Sequence, residues 1–542
     1  MLNRLRAAWH GETSGLTAAA VIVGIASLAS RVVGLFRDRI LASTFGAGSA
    51  LDTYYAAFRI PDFLYNLIIL GALSAGFIPV FSEYLAKRGE KEAWQLSERV
   101  LSLVGAAMAV CCVVLALAAP WIVPLTVPGF SPENTALTVH LTRIMLLSPF
   151  FLGLSAVMGG ILQAQRRFFA FSLAPVFYNL CIILGTLLLA PRFGMTGVAI
   201  GVVVGAVLHF AVQASVAIRL GVRRVPFPSF RHEGVRRIIR LMLPRTAGLA
   251  VSQLNLVILL IFASTLATGS VAVFNLASNL QSFPVGIIGI SFAVAAFPAL
   301  SEAASRKDRE AFLKALSGTA RKIIFCILPA TALFFLLRAQ TVRLALGAGF
   351  FDWDDTIRTA TVLGIFAFSL LGQSLVPLFA RAFYALQNTR TPLVIGLCTE
   401  VVNLLLAWWL HRVWGITGLA VAFSVAAYVN AGLLIWQLRR TYGPIGGRAV
   451  ARSIVVSFVA SCAIIVAGYP VREFFGHWLF PLRSSWQVLV QAGAAGVVGV
   501  CAFVLVAYVL KSEELMDMIE VFHRRLFRTK VVVAGAEEAQ GR

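Results

Sequence analysis

Long apolar runs separated by short polar breaks recur from residue 16 to about residue 510. A run of about 20 apolar residues can cross a bilayer as a helix, because a helix satisfies its own backbone N–H and C=O groups where water is absent. The pattern predicts spans near 16–43, 50–86, 96–126, 135–163, 168–190, 194–220, 238–266, 270–303, 314–342, 356–386, 391–411, 415–437, 450–470 and 487–510. The expected fold is an all-α polytopic membrane protein of about fourteen transmembrane helices. The second and eighth spans are long and interrupted, by Pro61 and Gly71 in one and by Pro284, Gly286 and Gly289 in the other. Helices broken at membrane depth occur where they line protein or a water-filled cavity. Gly34, Pro61, Gly71, Pro284 and Gly286 are therefore the expected gating positions or helix breaks.

The same sequence blocks occur twice. Leu41-Ala42-Ser43-Thr44 with Gly48-Ser49 returns as Phe262-Ala263-Ser264-Thr265 with Gly269-Ser270. Phe77-Ile78-Pro79 through Glu83 returns as Phe297-Pro298 through Glu302, and Gly194-Met195-Thr196-Gly197 returns as Gly415-Ile416-Thr417-Gly418. All three offsets lie near 220 residues. Each unit holds six spans, an even number, so the two halves point the same way. Parallel repeats are a transporter architecture with the substrate path between the halves. The expected arrangement is two parallel six-helix lobes plus two C-terminal helices.

Charge adds an orientation. The chain carries 46 Lys and Arg against 24 Asp and Glu, a net charge of +22, yet only 13% of its residues are charged. The cations cluster in alternate short loops: the N-terminus, Lys87–Lys91, Arg166–Arg167, Arg219–Arg240, Arg306–Arg309, Arg390, Arg439–Arg452 and the tail after Lys511. Such loops stay cytoplasmic, which puts both termini on the cytoplasmic side of the membrane. No soluble basic module with interleaved aromatics is present, so nucleic acid is not an expected partner. The seven cysteines sit mostly in apolar runs without metal-ligand spacing, so no metal or cofactor is expected. No cleavable signal is expected; the first run reads as a retained span.

Charges inside spans are costly and mark function. The first span carries Arg31, Arg37, Asp38 and Arg39, and the second carries Asp52, Arg59 and Asp62. The repeat-equivalent stretch Thr246–Ala267 carries none. Arg suits phosphate because its planar fork donates parallel hydrogen bonds. The candidate substrate-binding residues are therefore Arg31, Arg37, Asp38, Asp52 and Arg59. Snorkelling of Arg37 and Arg39, or ion pairs among these arginines and aspartates, is the competing structural reading. Glu400 and Asn403 lie one turn apart in the eleventh span and could bind a coupling ion, or simply pack. His209 is alone in an apolar run and is expected to pack against or bond a neighbour. In Phe351-Asp352-Trp353-Asp354-Asp355, Asp354 and Asp355 are read as helix caps. That run is also what a membrane glycosyltransferase would need, but no Walker loop, zincin helix or nucleophile elbow accompanies it.

Ser30-Arg31-Val32-Val33-Gly34-Leu35-Phe36-Arg37-Asp38, followed by Phe45-Gly46-Ala47-Gly48, resembles the opening of the lipid II flippase (MurJ/MviN) family. Asp52 through Pro61, Gly71-Ala72-Leu73-Ser74, Ala119-Pro120-Trp121, Pro128-Gly129-Phe130, Gly269-Ser270-Val271 and Phe283-Pro284 with Gly286 resemble its later blocks. The resemblance runs from about residue 16 to 440. It implies the multidrug/oligosaccharidyl-lipid/polysaccharide exporter fold, with a groove for a lipid tail between the last two helices. It also implies a transporter rather than an enzyme, flipping lipid II, an undecaprenyl-pyrophosphate-linked peptidoglycan precursor. Arg31, Arg37 and Asp38 match the family's cavity residues. Tyr65 and Asn279 stand where many relatives carry Arg, so pyrophosphate recognition leans on Arg31, Arg37 and Arg59. The implied domains are an N-terminal lobe (1–221), a cytoplasmic linker (222–237), a C-terminal lobe (238–442), the groove helices (443–511) and an amphipathic tail (512–542). Membrane lipids and the cell-wall synthesis machinery are the further expected partners. An exporter of another polyprenyl-linked glycan or a drug on the same fold is the alternative.

Overall fold

The computed structural model describes residues 16–70, 76–222, 226–479 and 484–526. The chain is helical along nearly all of these. In order come α1 (Leu16–Phe45), α2 (Ser49–Tyr65), α3 (Ile78–Lys87), α4 (Glu90–Thr126), α5 (Pro132–Met145), α6 (Leu147–Ala164), α7 (Phe168–Leu184), α8 (Ala190–Phe193) and α9 (Met195–Leu220). They are followed by α10 (Glu233–Ser264), α11 (Ser270–Pro284), α12 (Ser291–Ser305), α13 (Arg309–Leu336), α14 (Arg338–Leu346), α15 (Trp353–Ala385), α16 (Arg390–Tyr442), α17 (Gly447–Phe474), α18 (Ser485–Val509) and α19 (Glu513–Leu526). Among the described residues, ten helical stretches are long and apolar enough to cross a membrane. One of them, α16, runs for 53 residues and turns at Gly415 (φ 57°, ψ −133°), so it supplies the expected eleventh and twelfth spans. The chain is a multi-pass membrane protein.

The repeat is visible in the backbone. Gly194 (φ 55°, ψ −138°) adopts nearly the same left-handed geometry as Gly415. Three residues on, a Cβ on Gly197 would overlap the backbone of Leu189, and one on Gly418 would overlap the backbone of Leu410. Only glycine tolerates both demands. π-helical turns at Asn66–Leu70 and Val285–Ile290 also keep the repeat offset. Arg166 (φ 55°) and Gln387 (φ 60°) end repeat-related helices in the left-handed conformation.

The expected helix breaks are distributed unevenly. Pro284 closes α11 directly before a π turn, as the sequence suggests. Pro61 lies within α2, which stays α-helical for four more residues before its own π turn begins. α1 passes through Gly34 unbroken, against expectation, because the backbone there keeps its helical hydrogen bonds and glycine only lowers helix propensity. Gly71 and the block to Ser74 lie outside the described residues.

The chain forms two compact units. The first comprises residues 1–280, 341–366 and 393–426. Within it, glycines let helices approach closely: Gly201 of α9 meets Gly185 after α7, and Gly205 meets the carbonyl of Tyr178. Phe77 and Phe81 are fully buried, with rings 5.4 Å apart, and Phe77 fills the space beside Gly160. His209 is held by Ser155, whose Oγ lies 2.7 Å from its Nδ1, so it has the bonded neighbour expected of it.

The second unit comprises residues 281–340, 367–392 and 427–542. Phe325, Leu336, Ala460, Ile464 and Phe503 form its core, joining α13, α17 and α18. Near the far ends of these helices, Arg472 donates to the carbonyl of Leu336 (3.1 Å) and to Glu473 (2.6 Å), while Gln491 donates to the carbonyl of Arg472 (2.8 Å). The tail helix α19 is tethered by Arg321, which pairs with Glu513 at 2.6 Å. Met516, Met518 and Ile519 leave its apolar side half open, in keeping with an amphipathic surface helix.

Candidate functional site

The first unit brings the charged residues of α1 and α2 together with three asparagines from distant segments. Arg37 and Asp38 are sequence neighbours, and their side chains meet directly: Arg37 Nε and Nη2 donate to Asp38 Oδ1 at 3.0 and 2.8 Å. Arg37 Nη1 donates to Asn179 Oδ1 at 3.0 Å, and Asn179 is fixed in turn by donating to the carbonyl of Pro175. The other Asp38 oxygen accepts from Asn279 Nδ2 at 2.9 Å. The competing reading of an internal ion pair is thus realised for Arg37. Its three bonds leave two of its five N–H groups for another acceptor. Asn279, standing where a cation is usual in the family that the sequence resembles, here holds the carboxylate of that pair.

Arg59 is bound more loosely. Its Nη2 donates to Asn275 Oδ1 at 3.3 Å, and its Nε is buried with no partner. Asp62 lies one turn along but forms no ion pair with it. A buried guanidinium with an unspent donor is costly unless something else fills it. Arg31 is half-buried and has no hydrogen-bond or charge partner among the described residues. It sits two turns from Asp38 on the same face of α1. Arg31 and Arg59 therefore carry most of the free donor capacity of the cluster, whereas Arg37 has spent three of its five N–H groups.

Asp52 lies elsewhere. It is 4% exposed, and both oxygens accept backbone N–H groups: Gly269 at 2.6 Å and Ala272 at 2.8 Å. It caps the start of α11, where free N–H groups and the positive end of the helix dipole favour a carboxylate. Asp355 holds the loop just before α2, accepting from Ala47 N–H at 2.8 Å. Of the two aspartates read as caps of α15, neither caps it; Asp352 does, accepting from Asp355 N–H at 2.9 Å. Around these carboxylates three segments meet through main-chain carbonyls. Phe350 N–H donates to the carbonyl of Ser43 at 2.8 Å, and Arg358 donates to that of Thr268 at 2.9 Å. Arg39 donates to the carbonyl of Leu344, so it braces a helix end instead of snorkelling. Gly46, Gly269 and Gly349 all have positive φ (65°, 86° and 53°), and a Cβ on any of them would press on a carbonyl of a neighbouring loop. These contacts form a latch at the cation-poor end of the spans in this unit.

A third polar group joins α10 and α16. Asn255 Nδ2 donates to Glu400 Oε2, and Asn403 Nδ2 reaches Asn255 Oδ1 at 3.4 Å. Asn403 Oδ1 is buried without a partner. Glu400 and Asn403 are thus brought together through Asn255. Among the described residues no group of three or more His, Cys, Asp or Glu could hold a metal ion.

Asn179, Asn255 and Asn275 were not singled out by the sequence pattern, Asn279 was marked only as standing in place of an arginine, and Asp355 only as a helix cap. An amide in an apolar run was the available signal, and it is too common to rank.

The model of the family described as lipid II flippase MurJ matches residues 41–526. The chain belongs to the MurJ family. A lipid II flippase MurJ of Burkholderia cenocepacia is 32% identical over 428 residues, which cover 76% of this chain and 82% of the relative. A probable lipid II flippase MurJ of Rhizobium tropici is 28% identical and covers 90% of this chain and 93% of its own length. A solved lipid II flippase MurJ, described as inward closed, superposes with a TM-score of 0.74 at 23% identity, covering 94% of this chain and all of that one. An inward-facing multidrug resistance transporter of the MATE family, in the MOP superfamily, gives a TM-score of 0.68 at 18% identity over 79% of this chain and 98% of its own. The MurJ fold is thereby established for this chain.

Proposed function

We propose that this protein flips lipid II from the cytoplasmic to the outer leaflet of the bacterial inner membrane. Family membership carries that reading, and the arginines with unspent donors in the first unit support it. It is transport and not catalysis. The Asp352–Asp355 run, which a glycosyltransferase would need free, is occupied in capping and in the latch.

The headgroup enters from the cation-rich side while the polyprenyl tail stays in lipid, running in the groove of α17 and α18. Arg31 and Arg59 take the pyrophosphate first. Arg37 follows by exchanging Asn179 or Asp38 for a phosphate oxygen. Two parallel six-helix lobes, 1–221 and 238–442, then rock about the site. Outward opening requires the latch to part, so Asp52 serves as the closing group of the gate and not as a ligand. Two negative charges moving outward gain roughly 4–5 kcal/mol per 100 mV of inside-negative potential, enough to bias direction without another energy source.

The decisive experiment is rescue of cells depleted of their lipid II flippase, read together with a headgroup-accessibility assay for lipid II in the outer leaflet. Rescue with lipid II exposed at the surface is expected. Rescue only of strains lacking a transporter for another polyprenyl-linked glycan would overturn the substrate.

Glu400, Asn255 and Asn403 are the proposed coupling site, where one carboxylate and two amides could hold a monovalent cation or a proton. Glu400→Gln keeps the shape and removes the charge. Flipping driven by an imposed ion or proton gradient is expected to fall about tenfold or more in this variant, with potential-driven flipping retained. Equal rates under both drives would remove the site from the mechanism.

A further inference from the structure

Binding of pyrophosphate by arginines leaves Asp62 without a task. It is half-buried on α2, three residues after Arg59. Tyr55, Arg59 and Asp62 are spaced by four and three residues, so they line one face of that helix. Arg59 and Asp62 start about 5–6 Å apart at their Cβ atoms, as neighbours on successive turns do. They nevertheless do not pair, because Arg59 is turned to Asn275. Among the described residues no donor reaches the Asp62 carboxylate. It faces into the cluster and not toward lipid: Arg37 of α1, Tyr178 of α7 and Tyr65 all lie within its electrostatic range. The hydroxyls of Tyr65 and Tyr178 likewise meet no partner among the described residues.

An unpaired carboxylate beside an arginine that takes an anion is costly in two ways. It keeps a partly buried charge without a partner, and it repels the anion. Both costs fall when the group attached to the anion brings its own donors. In a polyprenyl-pyrophosphate-linked glycan the first sugar is esterified directly to the pyrophosphate, so its hydroxyl and amide groups lie within a few bonds of phosphorus. With the pyrophosphate on Arg59, those donors fall one turn along, at Asp62. Aromatic rings with polar tips, here Tyr65 and Tyr178, suit the apolar faces and hydroxyl edges of a pyranose. A pyrophosphate without a sugar brings no such donor and one more ionisable oxygen, so the same carboxylate turns it away.

We infer that Asp62, with Tyr65 and Tyr178, forms a subsite for the sugar that adjoins the pyrophosphate, and that it selects the glycosylated carrier over the bare polyprenyl pyrophosphate. The inference rests on the lipid II reading of the same cluster. Tyr65, in the place of an arginine common among relatives, then exchanges charge for sugar recognition.

The test is equilibrium binding to the full chain in nanodiscs, measured with lipid II and with undecaprenyl pyrophosphate. The wild-type chain is expected to hold lipid II about tenfold or more tighter than the bare pyrophosphate lipid. Asp62→Asn keeps the shape and removes the charge. It should bind the bare lipid several-fold tighter and lipid II several-fold weaker, narrowing the preference to about threefold or less. Misfolding cannot produce a gain of binding to the bare lipid. The same preference in wild type and variant, or none in the wild type, would overturn the sugar subsite and leave the flippase reading standing. Failure of the wild type to bind lipid II would overturn that reading, and the subsite with it.

Discussion

Cells that depend on Arg31→Ala as their only lipid II flippase are expected not to grow. Arg31 spends no donor on the described residues, so its removal leaves no carboxylate orphaned among them and the fold should be unaffected. What is lost is a charge-assisted contact to the headgroup, about 1.5–3 kcal/mol per hydrogen bond, or roughly ten- to a hundredfold in flipping for each. Arg31→Lys keeps the charge without the fork and should fall between. The measurement is lipid II accessibility in the outer leaflet, beside a check that the variant reaches the membrane at the normal level. Full rescue with an unchanged flipping rate would strip Arg31 of its role. Arg37→Ala has a different expected signature. It frees Asp38 and Asn179, leaving a buried carboxylate held by Asn279 alone, and so should lower thermal stability as well as transport.

Gly269→Val should jam the gate. A side chain at φ 86° costs about 1–2 kcal/mol, and its Cβ would sit on the carbonyl of Ala47. The start of α11 must then move off Asp52, and both backbone N–H bonds to that carboxylate are lost. The cation-poor end is expected to open. Thr53, fully buried at the start of the second turn of α2, offers a reporter of nearly unchanged size as Thr53→Cys. Its labelling by a membrane-impermeant maleimide, corrected for the chain without it, should rise about tenfold or more when Gly269→Val is added, while rescue fails. Continued protection of that cysteine would mean that the three loops do not form the barrier.

The membrane architecture was legible because bilayer physics writes it into long-range pattern. Apolar runs, basic loops and a repeat offset each survive local noise. The backbone later bore out the repeat at Gly194 and Gly415, residues whose sequence context already matched. The cluster on α1 and α2 was legible for a related reason, since a charge in an apolar run is conspicuous. Its internal arrangement was not. Helical geometry separates Arg37 from the Arg31–Asp38 face, yet a long side chain folds back onto its neighbour's carboxylate. The partners that fix it, Asn179 and Asn279, lie 142 and 241 residues away from the groups they bond. Asp52 looked like a ligand because a carboxylate in a span suggests one. Only the fold reveals that a helix N-terminus from the second repeat meets it.

The paired π turns have a consequence for how these helices tolerate change in length. Each π turn accommodates a surplus residue relative to regular α-helix. Deleting one residue from Asn66–Leu70 would remove that surplus and restore regular α-helix, leaving the flanking parts close to their present rotation and Arg59 in register with Asn275. Adding one residue there would exceed what the turn absorbs and would rotate one part of the helix by about 100° relative to the other. Arg59 would then swing out of register with Asn275, though no side chain of the cluster had been touched. The π turn at Val285–Ile290 has the same asymmetry. The chemistry of this transporter is thus indexed to residue counts in two stretches that contain no charge. A frame-preserving insertion there should be more damaging than a frame-preserving deletion.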